Sequence, residues 1–394
     1  MPLPPLPTLG TRKRRAAGFT LVELLVSVAL GLVVIAGMAS MYANVSRTNT
    51  EMAKTNGLIE NGRFAIDLLA EDIAHAGYWG GYIPQFDDLV ATAAPADTPA
   101  STPDPCLAFN AVNWNAAYQN ALIGLPVQVF GAAPTGCTSI VANKQANTDV
   151  LVVRRTNNCA TGVGTCEADN AAKVYLQQSL CDTEIAANNR FVLGVAGFTL
   201  KLRNCASLAE KRKFISNIYY IRNYATTAGD GIPTLMRSNF DLDDSGAPGH
   251  TRPTALIEGI QGFAVELGLD ALSRCTTPVN YTTAPAKVDP ASCTVNTINA
   301  DLNTTPTNRG DGVPELPFVH CTGVGGCTST QLVNTVAAKI YVLARSKEAT
   351  PGYTDTKTYT LGSTTLGPFT DNFQRHVFQL TVRLNNVSSR RETP

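Results

Sequence analysis

The sequence has no recognisable catalytic motif and few histidines. The four histidines, His75, His250, His320 and His376, are far apart along the chain. A Gly-x-Ser-x-Gly elbow, a His-Glu-x-x-His pair and a glycine-rich phosphate loop are all missing. We therefore predict that the protein is not an enzyme, with no catalytic residues and no organic cofactor.

An excess of basic charge is also missing. The chain has 31 Lys and Arg against 31 Asp and Glu, and four of the basic residues lie in the first 18 positions. Its later basic runs are short, Lys211-Arg212-Lys213 and Arg390-Arg391, and we interpret both as solvated strand or tail charges. Non-specific nucleic-acid binding requires a basic surface. Direct binding of nucleic acid by a basic patch is therefore not expected.

One long segment lacks charge almost completely. From Phe19 to Tyr42, Glu23 is the only charged residue. About 20 apolar residues cross a bilayer as a helix. Residues 12–15 are all basic, and residues 1–18 contain no acidic residue. The positive-inside rule therefore predicts a cytoplasmic N-terminus, a transmembrane segment over residues 19–42 and export of the chain that follows.

A cleaved secretory signal is the competing interpretation of this segment. It predicts a shorter apolar core and a small-residue cleavage site, for which Ala39-Ser40 is a candidate. It gives no role to Glu23, and a carboxylate inside a membrane is costly. We therefore favour a retained membrane helix.

The periodicity after Tyr42 predicts that the helix continues outward over residues 43–78. Apolar residues recur there at three- and four-residue intervals between charged ones, which is typical of an amphipathic helix. The stripe consists of Leu58, Ala65, Ile66, Leu69 and Ile73. Gly77 and the glycines after it are expected to end the helix.

The remaining chain predicts a β-rich head. Residues 79–147 show little periodicity and predict an irregular insertion. Residues 148–394 contain strand-like runs, several with alternating apolar and polar side chains. These runs are residues 149–154, 173–177, 191–203, 214–222, 256–269, 336–345 and 375–384. One helix followed by many strands indicates an α+β fold, in which an antiparallel sheet packs on the helix stripe.

All ten cysteines follow the apolar segment. An even number of cysteines in an exported domain indicates disulfides. Two close pairs bracket glycine-rich turns, Cys159/Cys166 and Cys321/Cys327, and three sequential pairs are plausible, Cys106/Cys137, Cys181/Cys205 and Cys275/Cys293. The sequence alone does not choose among the many other pairings. A zinc site is the weaker alternative, because zinc prefers closely spaced Cys and His ligands.

An acidic turn supplies a weak calcium hypothesis. Asp241, Asp243 and Ser245 place oxygen ligands at alternating positions before Gly246, as in the first half of a calcium loop. The glutamate that completes such a loop is missing, because Arg252 stands at its position. A solvated acidic turn is the favoured interpretation.

Residues 18–25 read Gly-Phe-Thr-Leu-Val-Glu-Leu-Leu, directly behind the basic run. This closely resembles the leader junction of type IV pilins and type II secretion pseudopilins. In that family a prepilin peptidase cuts after the glycine and methylates the new N-terminal residue. The resemblance implies a leader over residues 1–18, cleavage between Gly18 and Phe19, N-methylation of Phe19 and an assembly role for Glu23.

Glu23 has a physical use in such a family. Cleavage creates an α-amino group on Phe19 that is largely cationic at neutral pH. Pairing between this amine and a Glu23 carboxylate, within one subunit or across two, offsets the cost of burying either charge alone. The alternative is that Glu23 lies near the headgroups, which its shallow position allows.

Later blocks of the sequence, in order and spacing, resemble PilW-type minor pilins. They are residues 218–222, 231–237, 256–268, 340–346 and 375–378. The resemblance implies a type IV pilin-like fold and a minor pilin that supports pilus assembly. Its implied partners are other minor and major pilins, the prepilin peptidase, the inner-membrane assembly machinery and often a large tip adhesin. It also implies an inner-membrane protein with a periplasmic head that later enters a pilus, near the tip, and so supports twitching, attachment or DNA uptake.

Two rival functions remain open. A type II secretion pseudopilin has the same helix and drives the export of folded proteins. A tip-exposed head that acts as an adhesin or DNA receptor would carry an exposed aromatic or basic patch. Residues 83–147 resemble no family block and are the candidate for such a patch.

Overall fold

A computed structural model describes residues 18–289, 292–294 and 305–392. The basic run of the leader, residues 12–15, lies outside the described residues. The chain divides into two compact units, one ending at Ala53 and one beginning at Lys54. The second unit is the head.

The N-terminal helix, α1, spans Leu21–Ala74. Its last turn leads into Gly77, which has a φ of 73°, a left-handed conformation that glycine adopts without strain. The Gly77 N–H donates to the carbonyl of Arg154 at 3.0 Å, so the segment that follows the helix is hydrogen-bonded to a strand of the head. The helix therefore ends within a few residues of the predicted stop.

Four shorter α-helices and sixteen strands follow within the described ranges. The helices are α2 (Ala116–Gly124), α3 (Asp182–Ala186), α4 (Ser329–Val333) and α5 (Asn385–Arg391). The strands are β1 (Val127–Phe130), β2 (Val150–Thr156), β3 (Tyr175–Gln178), β4 (Phe191–Gly194), β5 (Lys211–Arg222), β6 (Thr234–Leu242), β7 (Pro248–His250), β8 (Thr254–Glu258), β9 (Ile260–Leu269), β10 (Lys287–Val288), β11 (Thr305–Pro306), β12 (Val319–His320), β13 (Thr335–Arg345), β14 (Tyr359–Leu361), β15 (Thr364–Leu366) and β16 (Arg375–Arg383). The strands β2, β5, β9, β13 and β16 overlap predicted runs. The strand β6 lies outside all of the predicted runs, and the predicted run 256–269 is divided at Gly259 into β8 and β9, which belong to different sheets.

The described strands form two main antiparallel sheets rather than one. The first has the order β1-β2-β5-β3-β4, with β6 paired to β5 and with β7 and β8 paired to β6. The second has the order β12-β9-β13-β16. The predicted α+β class, a long N-terminal helix with an antiparallel head, is confirmed.

The core of the head joins α1 to both sheets. The predicted stripe residues Leu58, Ala65, Ile66, Leu69 and Ile73 are each at most 6% exposed, as predicted. The strand residues that share this core include Leu151, Tyr219, Val265 and Ile340. Burial of one such side chain stabilises the fold by about 1.5–3 kcal/mol. The stripe therefore holds residues 58–73 of the helix against the head.

A buried carboxylate adds a polar link between α1 and the first sheet. Asp72 accepts hydrogen bonds from Arg155 Nε at 2.9 Å, Asn217 Nδ2 at 2.7 Å and the Tyr219 hydroxyl at 2.9 Å. Burial and the neighbouring carboxylate raise the pKa of Tyr219, which keeps its hydroxyl protonated as a donor. Because donors from β2 and β5 converge on this one carboxylate, the Asp72 link restrains the rotation of the helix on the sheet.

Residues 79–147 differ from the predicted irregular insertion. They contain α2 and β1, and β1 pairs with β2 in the first sheet. Trp114 packs against Phe214 and Phe240, which lie on β5 and β6. The sequence pattern missed β1 because all four of its residues are buried, so no alternation marks it.

Two further predictions need correction. Within the predicted run 191–203, only Phe191–Gly194 is a strand, and Gly197 then turns the chain with a φ of 84°. The basic runs are paired with acidic residues or buried, and neither consists of freely solvated charges. Lys211 and Lys213 form ion pairs with Asp169 at 2.8 Å and with Asp241 at 2.6 Å.

The second basic run, at the C-terminus, lies inside the head. Arg391 is 1% exposed and donates to Asp87 at 3.0 Å, to Asp270 at 3.4 Å and to the carbonyl of Val333 at 2.6 Å. Arg390 donates to the carbonyl of Gly77 at 2.9 Å. Buried arginines require such partners, and these are supplied by elements far apart in sequence. The two arginines therefore anchor α5 to the head.

Candidate functional site

The predicted processing junction lies on exposed chain. Gly18 and Phe19 precede the first turn of α1, and the Phe19 side chain is 86% exposed. A Cβ at Gly18 would meet no neighbouring atom within 4 Å. An exposed, non-helical peptide bond between these residues suits a protease, which needs an extended substrate.

Glu23 takes part in a capping box that begins α1. Its carboxylate accepts from the Thr20 N–H at 3.0 Å and from the Thr20 hydroxyl at 2.9 Å, and the Glu23 N–H donates back to the Thr20 hydroxyl at 3.3 Å. Such a reciprocal pair satisfies backbone donors that a helix start leaves unpaired. The sequence Thr20-Leu21-Val22-Glu23 carries this signal, which the sequence analysis missed. Glu23 therefore has an intramolecular role besides the predicted assembly role.

The apolar part of α1 is exposed throughout. Leu24, Leu32 and Ile35 are each at least 60% exposed, and their neighbours are similar. Of the helices in the described ranges, α1 alone is long and apolar enough to cross a membrane. Large contiguous apolar surfaces mark membrane or protein contacts, so this segment suits lipid or the helices of other subunits.

The ten cysteines, all within the described chain, form five disulfides. The pairs are Cys106–Cys137, Cys159–Cys166, Cys181–Cys205, Cys275–Cys293 and Cys321–Cys327. They are the sequential pairs that the spacing favoured, and geometry removes the alternatives that the sequence left open. Because both thiols of every pair are oxidised, none of these cysteines is a zinc ligand in this state.

Several of these bridges brace loops around the first sheet. Cys321–Cys327 closes a loop whose Gly323 carbonyl accepts from the Ala132 N–H at 3.2 Å, beside the outer strand β1. Cys181–Cys205 links the start of α3 to the turn before β5. Covered strand edges resist pairing with other chains.

The acidic turn proposed for calcium is held by protein partners. Asp241 pairs with Lys213 at 2.6 Å and with Lys173 at 3.0 Å. Asp243 accepts from the backbone and hydroxyl of Ser245 at 2.8 and 2.6 Å. Two lysines on Asp241 and a turn closed by Asp243 and Ser245 weigh against a calcium ion there, since the ligand oxygens already have partners. Calcium binding at this turn stays a prediction.

A second polar link, also missed by the sequence analysis, joins the two sheets. His320 Nε2, on β12, lies 3.0 Å from Asp149 Oδ2, just before β2. The same carboxylate accepts from the Val265 N–H on β9 at 2.8 Å. Hydrogen bonding to Asp149 raises the pKa of His320 above its usual value. The four histidines lie apart in the head, and no catalytic group was predicted around them.

The structure has an exposed apolar helix that begins at a capping box, followed by an antiparallel head with disulfides. This is the construction of a type IV pilin. Residues 13–39 match the prokaryotic N-terminal methylation motif, and residues 218–386 match the family of type IV pilus-assembly protein W. The chain therefore contains a long region similar to the PilW-type proteins of type IV pili and carries a prepilin-type N-terminal motif.

One solved structure with detectable likeness is the type IV-like pilin TTHA1219 from Thermus thermophilus. It shares 11% sequence identity with this chain, with a TM-score of 0.29, and the match covers 84% of this chain and 96% of that one. No curated protein matches the chain significantly.

The two family matches define the function at a coarse level. The protein is a minor pilin in type IV pilus assembly, a structural component that interacts with other pilins and with the pilus machinery. Its motif and apolar helix fit a membrane-anchored pilin. The match to the pilus-assembly family favours a pilus protein over the first rival, a secretion pseudopilin.

Proposed function

We propose that the chain is cut between Gly18 and Phe19, methylated at Phe19, and then assembled with sibling minor pilins in a priming or tip complex. Before assembly it is anchored in the inner membrane by residues 19–42, with its head in the periplasm. The partners are the prepilin peptidase, the inner-membrane assembly machinery, other minor and major pilins and a large tip adhesin. The complex supports pilus formation and, through it, twitching, attachment or DNA uptake.

The observation that carries this proposal is the single carboxylate of the apolar segment. Glu23 is the only charge from Phe19 to Tyr42, and it is the fifth residue after the predicted cleavage point. An unpaired carboxylate among apolar helices is destabilising. The α-amino group that cleavage creates at Phe19 supplies the matching charge, and a neighbouring subunit can present it.

The capping box makes the decisive experiment sharper. Glu23→Ala removes both the cap and the charge, whereas Glu23→Gln removes the charge and keeps a side chain that can complete a capping box. Thr20→Ala removes the cap and keeps the charge. We expect normal cleavage in all three variants, because the Gly18-Phe19 junction is unchanged.

Incorporation into sheared pili should then separate the two roles. If charge pairing drives assembly, Glu23→Ala and Glu23→Gln are both poorly incorporated, while Thr20→Ala is incorporated almost normally. Normal incorporation of Glu23→Gln would refute the pairing. Mass spectrometry of the mature N-terminus tests the cleavage and methylation at Phe19, and unchanged pilus numbers after deletion of the gene would overturn the priming role.

A further inference from the structure

A cleft of about 190 Å³ opens on the head, outside the region that the PilW family shares. Four segments that are distant in sequence meet there: residues 82–85, residues 96–97, helix α2 and residues 188–191. All of them precede the family region 218–386. The cleft is therefore built by the specialised part of this chain and not by the segments that carry assembly.

Two aromatic rings form the apolar part of the cleft. Tyr82 follows the end of α1, and Phe191 is the first residue of β4. Their ring centroids are 5.2 Å apart and their planes are tilted by 59°. Aromatic rings in this arrangement present flat apolar surface together with a polar hydroxyl.

Helix α2 contributes a polar face. Ala116, Gln119 and Asn120 are spaced at i, i+3 and i+4, so they lie on one side of the helix, and all three line the cleft. Gln119 donates to the carbonyl of Trp114 at 2.7 Å, which fixes its orientation. Ala116 is small and leaves room above the helix.

Several polar groups of the cleft lack partners. Within the described chain, no hydrogen bond involves the side-chain amide of the half-buried Asn120 or of the exposed Asn188. The Nε of Arg190 is buried and has no hydrogen-bond partner, and no ion pair to this guanidinium exists among the described residues. A buried polar atom without a partner is uncommon and destabilising, and in this cleft that applies to the Arg190 Nε. A ligand that supplies both donors and acceptors would satisfy them.

Asp97 completes the polar lining. It is 8% exposed and accepts the backbone N–H groups of Gln85 at 2.6 Å and Phe86 at 3.1 Å. These bonds hold the carboxylate rigidly on its loop. With Arg190 the cleft has one acidic and one basic side chain, so a neutral ligand meets no net charge.

We propose that this cleft binds a single saccharide unit. Each sugar hydroxyl is both a donor and an acceptor, which suits two side-chain amides, a guanidinium and a carboxylate side by side. The C–H face of a sugar ring is apolar and suits the Tyr82 and Phe191 rings. The volume lies below the roughly 300–1,000 Å³ of sites for drug-sized ligands, which favours one ring.

A peptide fits the cleft less well. Extended peptides are usually recognised through the free backbone of a strand edge, whereas the free hydrogen-bonding groups here are side chains of α2 and of the loop before β4. Saccharide binding would give the minor pilin a recognition function in addition to its role in assembly.

The test uses the full-length protein in detergent with glucose, galactose, N-acetylglucosamine and galacturonate, and detects binding by saturation-transfer NMR. At least one sugar is expected to bind with a dissociation constant on the order of millimolar, as is usual for so small a ligand. Asn120→Ala and Arg190→Gln should each weaken binding by about tenfold or more. Asn188→Gly removes the second side-chain amide of the cleft and should weaken binding in the same way. Glycine tolerates the φ of 62° at this position.

Asn189→Ala is the matched control, because Asn189 is exposed, adjacent to the cleft residues and absent from the lining. It should bind as the unchanged protein does. No binding of any sugar up to about 50 mM, a very weak limit, would overturn the proposal. So would equal binding by the control and the cleft variants, or binding of an extended-peptide panel in place of sugars. Pilus numbers should be unchanged in cells that carry Asn120→Ala, which separates this proposal from the assembly role.

Discussion

Removal of the Asp72 carboxylate should loosen α1 from the head. Three donors lose their acceptor in Asp72→Ala: Arg155, Asn217 and Tyr219. A buried donor without a partner costs about 1–3 kcal/mol. Asn217 and Tyr219 are 6% and 1% exposed, so both are affected, whereas the Arg155 side chain is 22% exposed and regains water.

The expected loss is reduced by a neighbouring cleft. Asp72, Asn217 and Tyr219 line a polar opening of about 350 Å³, which admits water to the donors that Asp72 leaves. We therefore expect Asp72→Ala to lower the free energy of unfolding by about 2–4 kcal/mol, below the ~3–5 kcal/mol found for fully buried ion pairs. Asp72→Asn keeps one acceptor oxygen and should cost about 1–2 kcal/mol.

Both tryptophans report on this unfolding. Trp79 and Trp114 are 2% and 5% exposed and lie in one cluster of the head. Urea unfolding of the full-length protein in detergent, followed by tryptophan fluorescence, therefore measures the stability of the head. Asp67→Ala is the matched control, because Asp67 is an exposed aspartate on the same helix. A loss for Asp72→Ala within about 0.5 kcal/mol of this control, the range of ordinary surface substitutions, would refute the reasoning.

Three further predictions use the same assay. Gly62→Ala should destabilise the head by about 1–3 kcal/mol, because the added Cβ would lie 2.1 Å from a ring carbon of Phe378. Its control, Gly57→Ala, has open space around the added Cβ and should stabilise the head by about 0.5–1 kcal/mol. Equal effects of the two variants would refute the packing argument. The fold raises the pKa of His320, so its ion pair with Asp149 stabilises the head fully below pH ~6.5, and this stabilisation is lost as the pH rises through the higher folded pKa. His320→Gln should therefore lower the free energy of unfolding more at pH 6 than at pH 9. An equal loss at both pH values would contradict this. Arg391→Ala should cost about 3–5 kcal/mol, because it leaves the buried Asp270 without its cation and Asp87 with Arg390 alone. A loss under about 1 kcal/mol, as for a surface pair, would contradict the anchoring role.

Glu23 has a local role in the single chain and an assembly role in the proposed complex. In the single chain its carboxylate caps the first turn of α1 through Thr20. In the proposed complex the same carboxylate pairs with the amine of a neighbouring subunit. A carboxylate has two oxygens and about four acceptor positions, so the two contacts can coexist. Capping would then orient Glu23 for its partner before assembly begins.

Strong local signals made much of the fold predictable. The α1 stripe from Leu58 to Ile73 could be identified because a 3.6-residue period repeats over several turns. The longer strands, such as β5 and β13, could be identified from runs of apolar and β-branched residues. The short strand β1 could not, because its pairing with β2 depends on chain about 20 residues away and leaves no local period.

The sugar-binding candidate could not be found from the sequence either. Tyr82, Asn120 and Arg190 carry no shared motif, and only folding brings their segments to one cleft. The same reason explains the misjudged basic pair at the C-terminus. In the sequence Arg391 resembles a tail charge, and only the fold brings Asp87 and Asp270 beside it.

The sequence by itself determined the membrane-length apolar segment, its junction and its one carboxylate, because these depend on composition and on neighbours a few residues apart. It also determined the class of the head, since helix and strand periods are local. Tertiary structure decided which cysteines pair, how Asp72 and His320 link the helix and the two sheets, and where an unsatisfied cleft opens. Those outcomes depend on contacts between residues far apart in the chain, and such contacts leave no periodic trace in the sequence.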